Sequence, residues 1–360
     1  MGFERLRFFN FRNLRDGELR LGAREIFLVG ENGQGKTNLI EAVHLLCRGS
    51  SFREKREAAL PRDPGAPMGL AGQYGAAGGA LADMSMQVFP DRKKELRVNG
   101  KQVADRRELL SEVLCVCFVQ QDMDFVTGAP EDRRHFFDQT LTLCDPSFLD
   151  SLRGYRQVLR SRNFCLRARQ GDILDAYDAQ LASFGLALQR RRAELVREFN
   201  GVFGPLYREI SGAGEEVLIR YLPSWQGLDD VESALANLAA RRGSDLALGT
   251  TGTGPHRDAY AFICAGRDYS HFGSTGQLRL CALALRIAQA RYLTERTGRL
   301  PVLLLDDVLL ELDQGRKKAI VERFPGYEQA FFTFLPDETY DSYRTEETLV
   351  LRVAAGDFAR

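Results

Sequence analysis

Apolar and polar positions change period several times along the chain, and each change marks an element. FERLRFFNFRNL (Phe3–Leu14) alternates imperfectly and predicts strand. After a short turn, REIFLVG carries the apolar run Ile26–Val29, a buried strand ending on glycine. Leu39, Ala42, Val43 and Leu46 then share one stripe, predicting a helix over Asn38–Leu46. Residues 61–82, rich in Gly, Ala and Pro, read as a loop or weak hairpin. Between 83 and 120, MSMQVF and KELRVNG predict strands and Asn99–Gly100 a turn. Arg107–Glu112 predicts a helix leading into VLCVCFV, a core strand.

From about 146 to 204 the pattern becomes helical and densely charged. SLRGYRQVLRSRNFCLR and LASFGLALQRRRAELVREFNGVF read as two long amphipathic helices joined near Gly171. An antiparallel hairpin projecting from the body is the expected arrangement, too short for a long coiled-coil arm. A third helix near Leu228–Arg242 precedes GTTGTGPHRD, and the last hundred residues run strand, loop, helix, strand, helix, strand. No fixed-period repeat is present. The fold class that follows is α/β. A nucleotide-binding head is expected from 1–145 and 251–360, with 146–250 inserted as a helical domain.

Composition narrows the function. Lys+Arg and Asp+Glu both number 49 in 360 residues, which excludes a generic polybasic coat but leaves room for a local basic surface. The first residues do not read as a signal peptide. No uninterrupted apolar run approaches the roughly 18 residues of a membrane span. Seven cysteines, mostly in apolar stretches, fit free thiols in a reducing compartment. Cys115 and Cys117 belong to a core strand rather than a metal site. A cytoplasmic location is expected.

Three segments carry chemistry. GENGQGKT (Gly30–Thr37) matches G-x-x-x-x-G-K-[ST] between a predicted strand and a predicted helix. Its glycines let backbone approach phosphate, and its amides and helix N-terminus face the anion. Gly30, Asn32, Gly33, Gly35, Lys36, Thr37 and Asn38 form the expected ATP-binding set. Lys36 reaches the β- and γ-phosphates, and Thr37 holds Mg²⁺. PVLLLDD (Pro301–Asp307) is a buried strand running into two aspartates. Asp306 is the second Mg²⁺ residue and Asp307 orients the attacking water. In HFGSTGQLRLCALALRIAQA (His271–Ala290), Ser274, Gly276 and Gln277 open a long helix. Its residues fit either an ordinary capped core helix or an anion site at the helix N-terminus.

The last segment resembles the signature motif of ATP-binding-cassette (ABC) ATPases. That resemblance implies that Ser274, Gly276 and Gln277 contact the γ-phosphate held by a second subunit. It also makes Glu311–Asp313 the loop crossing that interface, and Gln120 or Gln121 the sensor of Mg²⁺ and γ-phosphate. The match is closer to the RecF family. It rests on FRNL (Phe11–Leu14), GENGQGKTNLIEA (Gly30–Ala42), VTGAPEDRRHFFD (Val126–Asp138), YRQVLRSRN (Tyr155–Asn163), TGPHRD (Thr253–Asp258), FGSTGQLR (Phe272–Arg279) and LLLDDVLLELD (Leu303–Asp313). These span nearly the full length, and GPHRD and RRxFxD are more specific than the phosphate loop.

The resemblance implies an ABC-type P-loop head with an inserted helical domain and no long coiled coil. It implies ATP-dependent homodimerisation, slow hydrolysis, and binding to double-stranded and gapped DNA without sequence specificity. RecR is the implied partner, with RecO and RecA downstream, on a nucleoid-associated protein. Arg12 is implied to approach the nucleotide. Two departures from the wider superfamily stand out: Asp307 replaces the usual catalytic glutamate, and Thr333 occupies the region of the switch histidine.

Candidate phosphate-contacting cations are Arg92, Lys93, Lys94, Arg106, Arg107, Arg133, Arg134, Arg190, Arg191 and Arg192. Arg133 and Arg134 could equally serve the nucleotide site or lobe packing. His256 and Arg257 fit either a place near the nucleotide or a lobe interface. No helix-turn-helix or zinc-finger spacing points to base readout. A structural SMC-like tether, a transporter ATPase subunit and a P-loop kinase are the alternatives.

Overall fold

The computed structural model describes residues 2–75, 81–91, 93–212, 214–309 and 314–360, without the side chains of Gln314 and Lys318. Arg92 and the expected interface loop Glu311–Asp313 lie outside the described residues. The chain forms two compact units, Met1–Gln121 with Gly298–Arg360, and Asp122–Thr297. These divisions differ from the boundaries expected at 145/146 and 250/251. The helices flanking that insert on both sides pack onto its long helix and join its core.

The first unit is α/β. Its mixed sheet orders β15 (Asp357–Ala359), β14 (Thr348–Ala354), β3 (Glu25–Val29), β13 (Gln329–Phe334), β12 (Val302–Leu305) and β8 (Cys115–Phe118). All neighbours are parallel except the β14–β15 hairpin. The second sheet is antiparallel: β2 (Gly17–Arg20), β1 (Gly2–Phe9), β4 (Met68–Gly75), β5 (Leu81–Val88), β6 (Lys94–Val98) and β7 (Lys101–Gln102). Helix α1 (Lys36–Arg48) packs against strands of both sheets, which explains why it is buried on nearly every side. Its Leu39, Val43 and Leu46 join Phe3, Leu70 and Met84 from one sheet and Cys115, Leu304 and Phe331 from the other in one core.

Residues 68–75 and 81–82 are paired strand, so the hairpin reading of 61–82 is the one the structure adopts. Gly72 has a packing role there: a Cβ on it would lie 2.9 Å from Leu46 Cδ1 and 3.0 Å from the Phe3 ring. Buried Gln329 fastens β13 to the antiparallel sheet. Its amide donates to the carbonyls of Phe3, Leu21 and Ala23 and its oxygen accepts from Phe3 N–H. The expected helix at 107–112 is α2 (Arg106–Glu112), opened by an Asp105/Glu108 capping box. Helix α9 spans Gln314–Val321.

The second unit contains α3 (Asp124–Thr127), α4 (Pro130–Cys144), α5 (Pro146–Arg167), α6 (Leu174–Ser211), β9 (Val217–Leu222), α7 (Val231–Leu248), β10 (Ala259–Cys264), β11 (Arg267–Asp268) and α8 (Thr275–Thr297). Helices α5 and α6 are antiparallel: Asp145 meets Arg191, Gly154 faces Phe184, and Arg162 meets Asp178. The hairpin is not a free arm, because α6 also packs on α4, α7, α8 and β9 within this unit. Its burial is dense enough to enclose charge. Arg162 donates to Asp178 at 2.6 Å, Asp245 at 2.7 Å and Thr251 at 2.8 Å. Arg192, read as a surface cation from its RRR run, is only 2% exposed. It donates to Asp138 at 2.9 Å and Asp258 at 2.8 Å. The third helix starts at Val231 rather than Leu228, because Asp230 caps it by accepting from Ser233 N–H at 2.7 Å.

Candidate nucleotide site

Parallel strands concentrate chemistry at their C-terminal ends, and here β3, β12 and β8 end together. The loop after β3 needs its glycines. A Cβ on Gly30 would stand 2.4 Å from the Val353 carbonyl oxygen, and Gly33 and Gly35 adopt φ of 77° and 120°. Lys36 is buried, and its Nζ curls back to the carbonyls of Gly30 at 2.5 Å and Glu31 at 3.1 Å. That holds its charge over the loop. Asn32 is exposed on the loop, while Asn38 donates to Asn13 Oδ1 at 2.5 Å and accepts from Arg53. Asn13 in turn donates to the Gly33 carbonyl at 3.0 Å.

Thr37 Oγ1 donates to Asp306 Oδ1 at 2.8 Å, joining the start of α1 to the end of β12. Burial, reinforced by the neighbouring Asp307, pushes Asp306 up to about 6, against the opposing effects of Thr37, Arg53 and Lys36. A hydroxyl and a crowded pair of carboxylates form a donor set that suits a hard divalent cation such as Mg²⁺. Asp307 has φ of 54°, unusual for a residue with a side chain. Thr333, on adjacent β13, holds it twice. Thr333 Oγ1 accepts from Asp307 N–H and donates to Asp307 Oδ1, both at 2.8 Å. Thr333 therefore contacts the carboxylate directly.

Glu31, Asn32, Gly33, Gly35, Lys36, Thr37, Asn38, Arg53 and Asp307 line one cavity. A neighbouring one is lined by Arg12, Asn13, Asn38, Arg53, Glu54 and Arg62. Arg12 and Arg53 are both fixed by buried Glu41: Arg12 donates at 2.9 and 3.0 Å, and Arg53 at 2.6 Å. Burial alone would raise the Glu41 carboxyl, yet hydrogen bonds from Arg12, Arg53 and Ser51 draw it below the usual range. Arg53 was missed in the sequence. It follows α1 after the left-handed Gly49 cap, and only that reversal returns it to the loop. Gln120 and Gln121 are both exposed in a short 3-10 turn after β8, beside Asp306, whose N–H bonds the Phe118 carbonyl at 3.0 Å.

The other expected group belongs to the second unit. Ser274 and Gln277 cap α8 reciprocally: Ser274 N–H donates to Gln277 Oε1 at 2.8 Å and Gln277 N–H to Ser274 Oγ at 3.3 Å. The capped-helix reading of this segment therefore holds. The helix body is apolar core, while Ser274, Thr275, Gly276 and Gln277 are exposed, with nothing within 4 Å of a Cβ built on Gly276.

Arg133 and Arg134 are packing residues. They donate to the carbonyls of Tyr260 at 2.7 Å and Asp258 at 2.6 Å, holding α4 on β10. His256 is bonded to Tyr155 Oη at 2.7 Å and the Thr251 carbonyl at 2.9 Å. Burial lowers it to about 4, so it is neutral at physiological pH. Arg257 is exposed in the same loop. Of the candidate DNA-contacting cations, Lys94 is turned inward onto Glu57 and the Gly49 carbonyl. Lys93 pairs with Glu95 at 2.9 Å, Arg107 with Asp105 at 2.9 Å, and Arg191 with Glu194 at 2.8 Å. Arg190 donates to the Asp229 carbonyl, and Arg106 is exposed.

No protein-family profile matches the chain. It is 39% identical over 354 residues to the DNA replication and repair protein RecF of Treponema pallidum, covering 96% of this chain and 98% of that one. A solved structure of the recombination mediator protein RecF-ATP in the RecFOR pathway superposes with a TM-score of 0.89 at 27% identity, over 99% of this chain and 97% of that one. The Smc head bound to the C-winged helix domain of ScpA shares the fold, with a TM-score of 0.58 at 14% identity over 99% and 96% of the two chains. The fold is thus that of an ABC-type ATPase head, and among the described residues no helix is long and apolar enough to cross a membrane. Identity carried across nearly the whole of both sequences, with the phosphate loop, acidic strand and capped signature helix all in place, makes this chain a member of the RecF family.

Proposed function

We propose that the chain is a slow, Mg²⁺-dependent ATPase that closes as a homodimer on ATP and binds gapped or junction DNA as a recombination mediator. In this reading RecR is its direct partner, with RecO and RecA acting downstream, in the cytoplasm at the nucleoid. The observation that carries it is the separation of the chemistry. One unit holds the phosphate loop and carboxylates. The other presents a capped, exposed helix N-terminus at Ser274 and Gly276, ready for an anion. The ATP-bound RecF relative and its RecFOR pathway support the assignment.

Lys36 and the loop amides bind and neutralise the phosphates. Thr37 and Asp306 would hold Mg²⁺, which would supply charge neutralisation for the bound phosphates. Ser274, Gly276 and Gln277 of a second copy cover the γ-phosphate, and two-fold symmetry makes two such sites. Asp307, positioned by Thr333, orients the attacking water, and Gln120 or Gln121 senses the γ-phosphate. ATP then acts by shifting a monomer–dimer population.

The test is binding to a gapped duplex at near-physiological salt, with ATP against ADP, and protein mass recorded in the same samples. Tight binding with dimer mass only under ATP is expected. ATP-driven dimers with no DNA affinity would overturn the mediator reading and leave the ATPase one standing.

A further inference from the structure

Helix α5 carries a basic face that plays no part in the nucleotide site. Residues 151–171 contain six arginines and no carboxylate. Arg162 is buried in the unit's core, but Arg153, Arg156, Arg160 and Arg167 are exposed. At 100° per residue these four fall within one narrow stripe, and Phe164 falls in it too. Phe164 is 63% exposed, between Arg160 one turn before and Arg167 one turn after. A singly exposed apolar side chain is ordinary on a protein surface; what distinguishes Phe164 is its place within a row of exposed arginines.

The stripe from Arg153 to Arg167 is about 21 Å long at 1.5 Å per residue, enough to follow several phosphates. Asp138 lies 3.9 Å from Arg156, whose side chain is still 59% exposed. Guanidinium groups suit phosphate oxygens, and a ring among them offers a stacking face to a base. A base face is accessible only where a strand is unpaired. We infer that the exposed face of α5 binds a DNA strand with unpaired bases, its arginines on the phosphates and Phe164 stacked on a base. This rests on the DNA-binding reading above and gives it a surface other than the charged runs at 93–94, 106–107 and 190–191.

The experiment uses the full chain with ATP and three labelled probes: a gapped duplex, a blunt duplex and an unpaired strand. Against wild type stand R156A/R160A/R167A, the charge-keeping R156K/R160K/R167K, and F164A. The triple alanine variant is expected to make the dependence of log affinity on log salt shallower by about two to three on the gapped probe, with the lysine variant largely restored. F164A is expected to lose about tenfold or more on the gapped and unpaired probes, with its salt dependence and blunt-duplex binding unchanged. Fluorescent ATP binding and melting temperature report whether each variant is folded. Wild-type affinity and salt dependence in the folded triple variant, while wild type binds the gapped probe, would overturn the inference alone. No binding of wild type to any probe would instead remove the DNA-binding reading, and this surface with it.

Discussion

At the end of β12, two carboxylates sit side by side in a buried setting, and the protein tolerates this by raising one of them. With Asp306 at about 6 instead of the usual 3.8, the folded state keeps a proton that the unfolded chain has released. The stabilisation from this group is full below about pH 4 and is lost as pH rises through 6. In the absence of nucleotide and divalent cation, Asp306→Asn should therefore melt higher than wild type at pH 7.5, by up to about 3 kcal/mol, with the gap narrowing toward pH 5. A gap that stays constant from pH 5 to 7.5 in thermal melts would contradict this. Thr333 gives the second prediction. Thr333→Val removes both hydrogen bonds to Asp307 at nearly constant volume, so kcat for ATP should fall about ten- to hundredfold while nucleotide affinity holds. Thr333→Ser should recover most of it, and equal loss in both variants would show that the hydroxyl does not position Asp307. The placement of residues was legible wherever it was local. Lys36, Thr37, Asp306 and Ser274 sit in short motifs whose geometry is set within a few residues. Arg53 was not legible, because its role depends on a chain reversal and on buried Glu41.

Elements were legible where period and length agreed, as in α1, α5, α6 and α8. Composition left the strand β4 open between loop and hairpin. Its glycines resemble loop, yet Gly72 is there because α1 crosses too close for a side chain. The RRR run of α6 misled in the opposite direction. At 3.6 residues per turn, three consecutive positions cannot share one environment, and Arg192 points into the core while Arg190 and Arg191 remain exposed. Arg192→Leu should cost roughly 3–5 kcal/mol in urea unfolding, because it leaves Asp138 and Asp258 buried without their cation. Arg191→Ala should cost under about 1 kcal/mol, since its pairs are half-exposed. Similar losses in the two variants would mean that the buried network contributes little.

On the scale of the whole molecule, the order of motifs was visible before any coordinates, but the division of the chain was not. Packing of α4 and α8 onto α6 decides which flanking helices join the inserted unit, and no local pattern encodes that. The composite-site reading makes its own prediction here. Ser274→Arg places bulk and charge at an exposed cap, far in sequence from the phosphate loop. Fluorescent ATP binding should stay within about twofold of wild type, while the ATP-dependent rise in mass disappears. Loss of ATP binding in the monomer would argue that Ser274 acts within its own chain.

The hairpin β14–β15 holds the phosphate loop from behind. Gly356 N–H donates to the Gln34 carbonyl at 2.8 Å, Ala355 N–H to Gln34 Oε1 at 2.7 Å, and Gly30 lies flush against Val353. The loop and its support are thus separated by more than three hundred residues of sequence. During synthesis at roughly 5–20 residues per second, the loop waits on the order of fifteen seconds to a minute before its support is made. Nucleotide can therefore reward folding only after this hairpin has been made, and a nascent chain stalled before residue 353 would carry the whole ATP-binding motif without the support that shapes it.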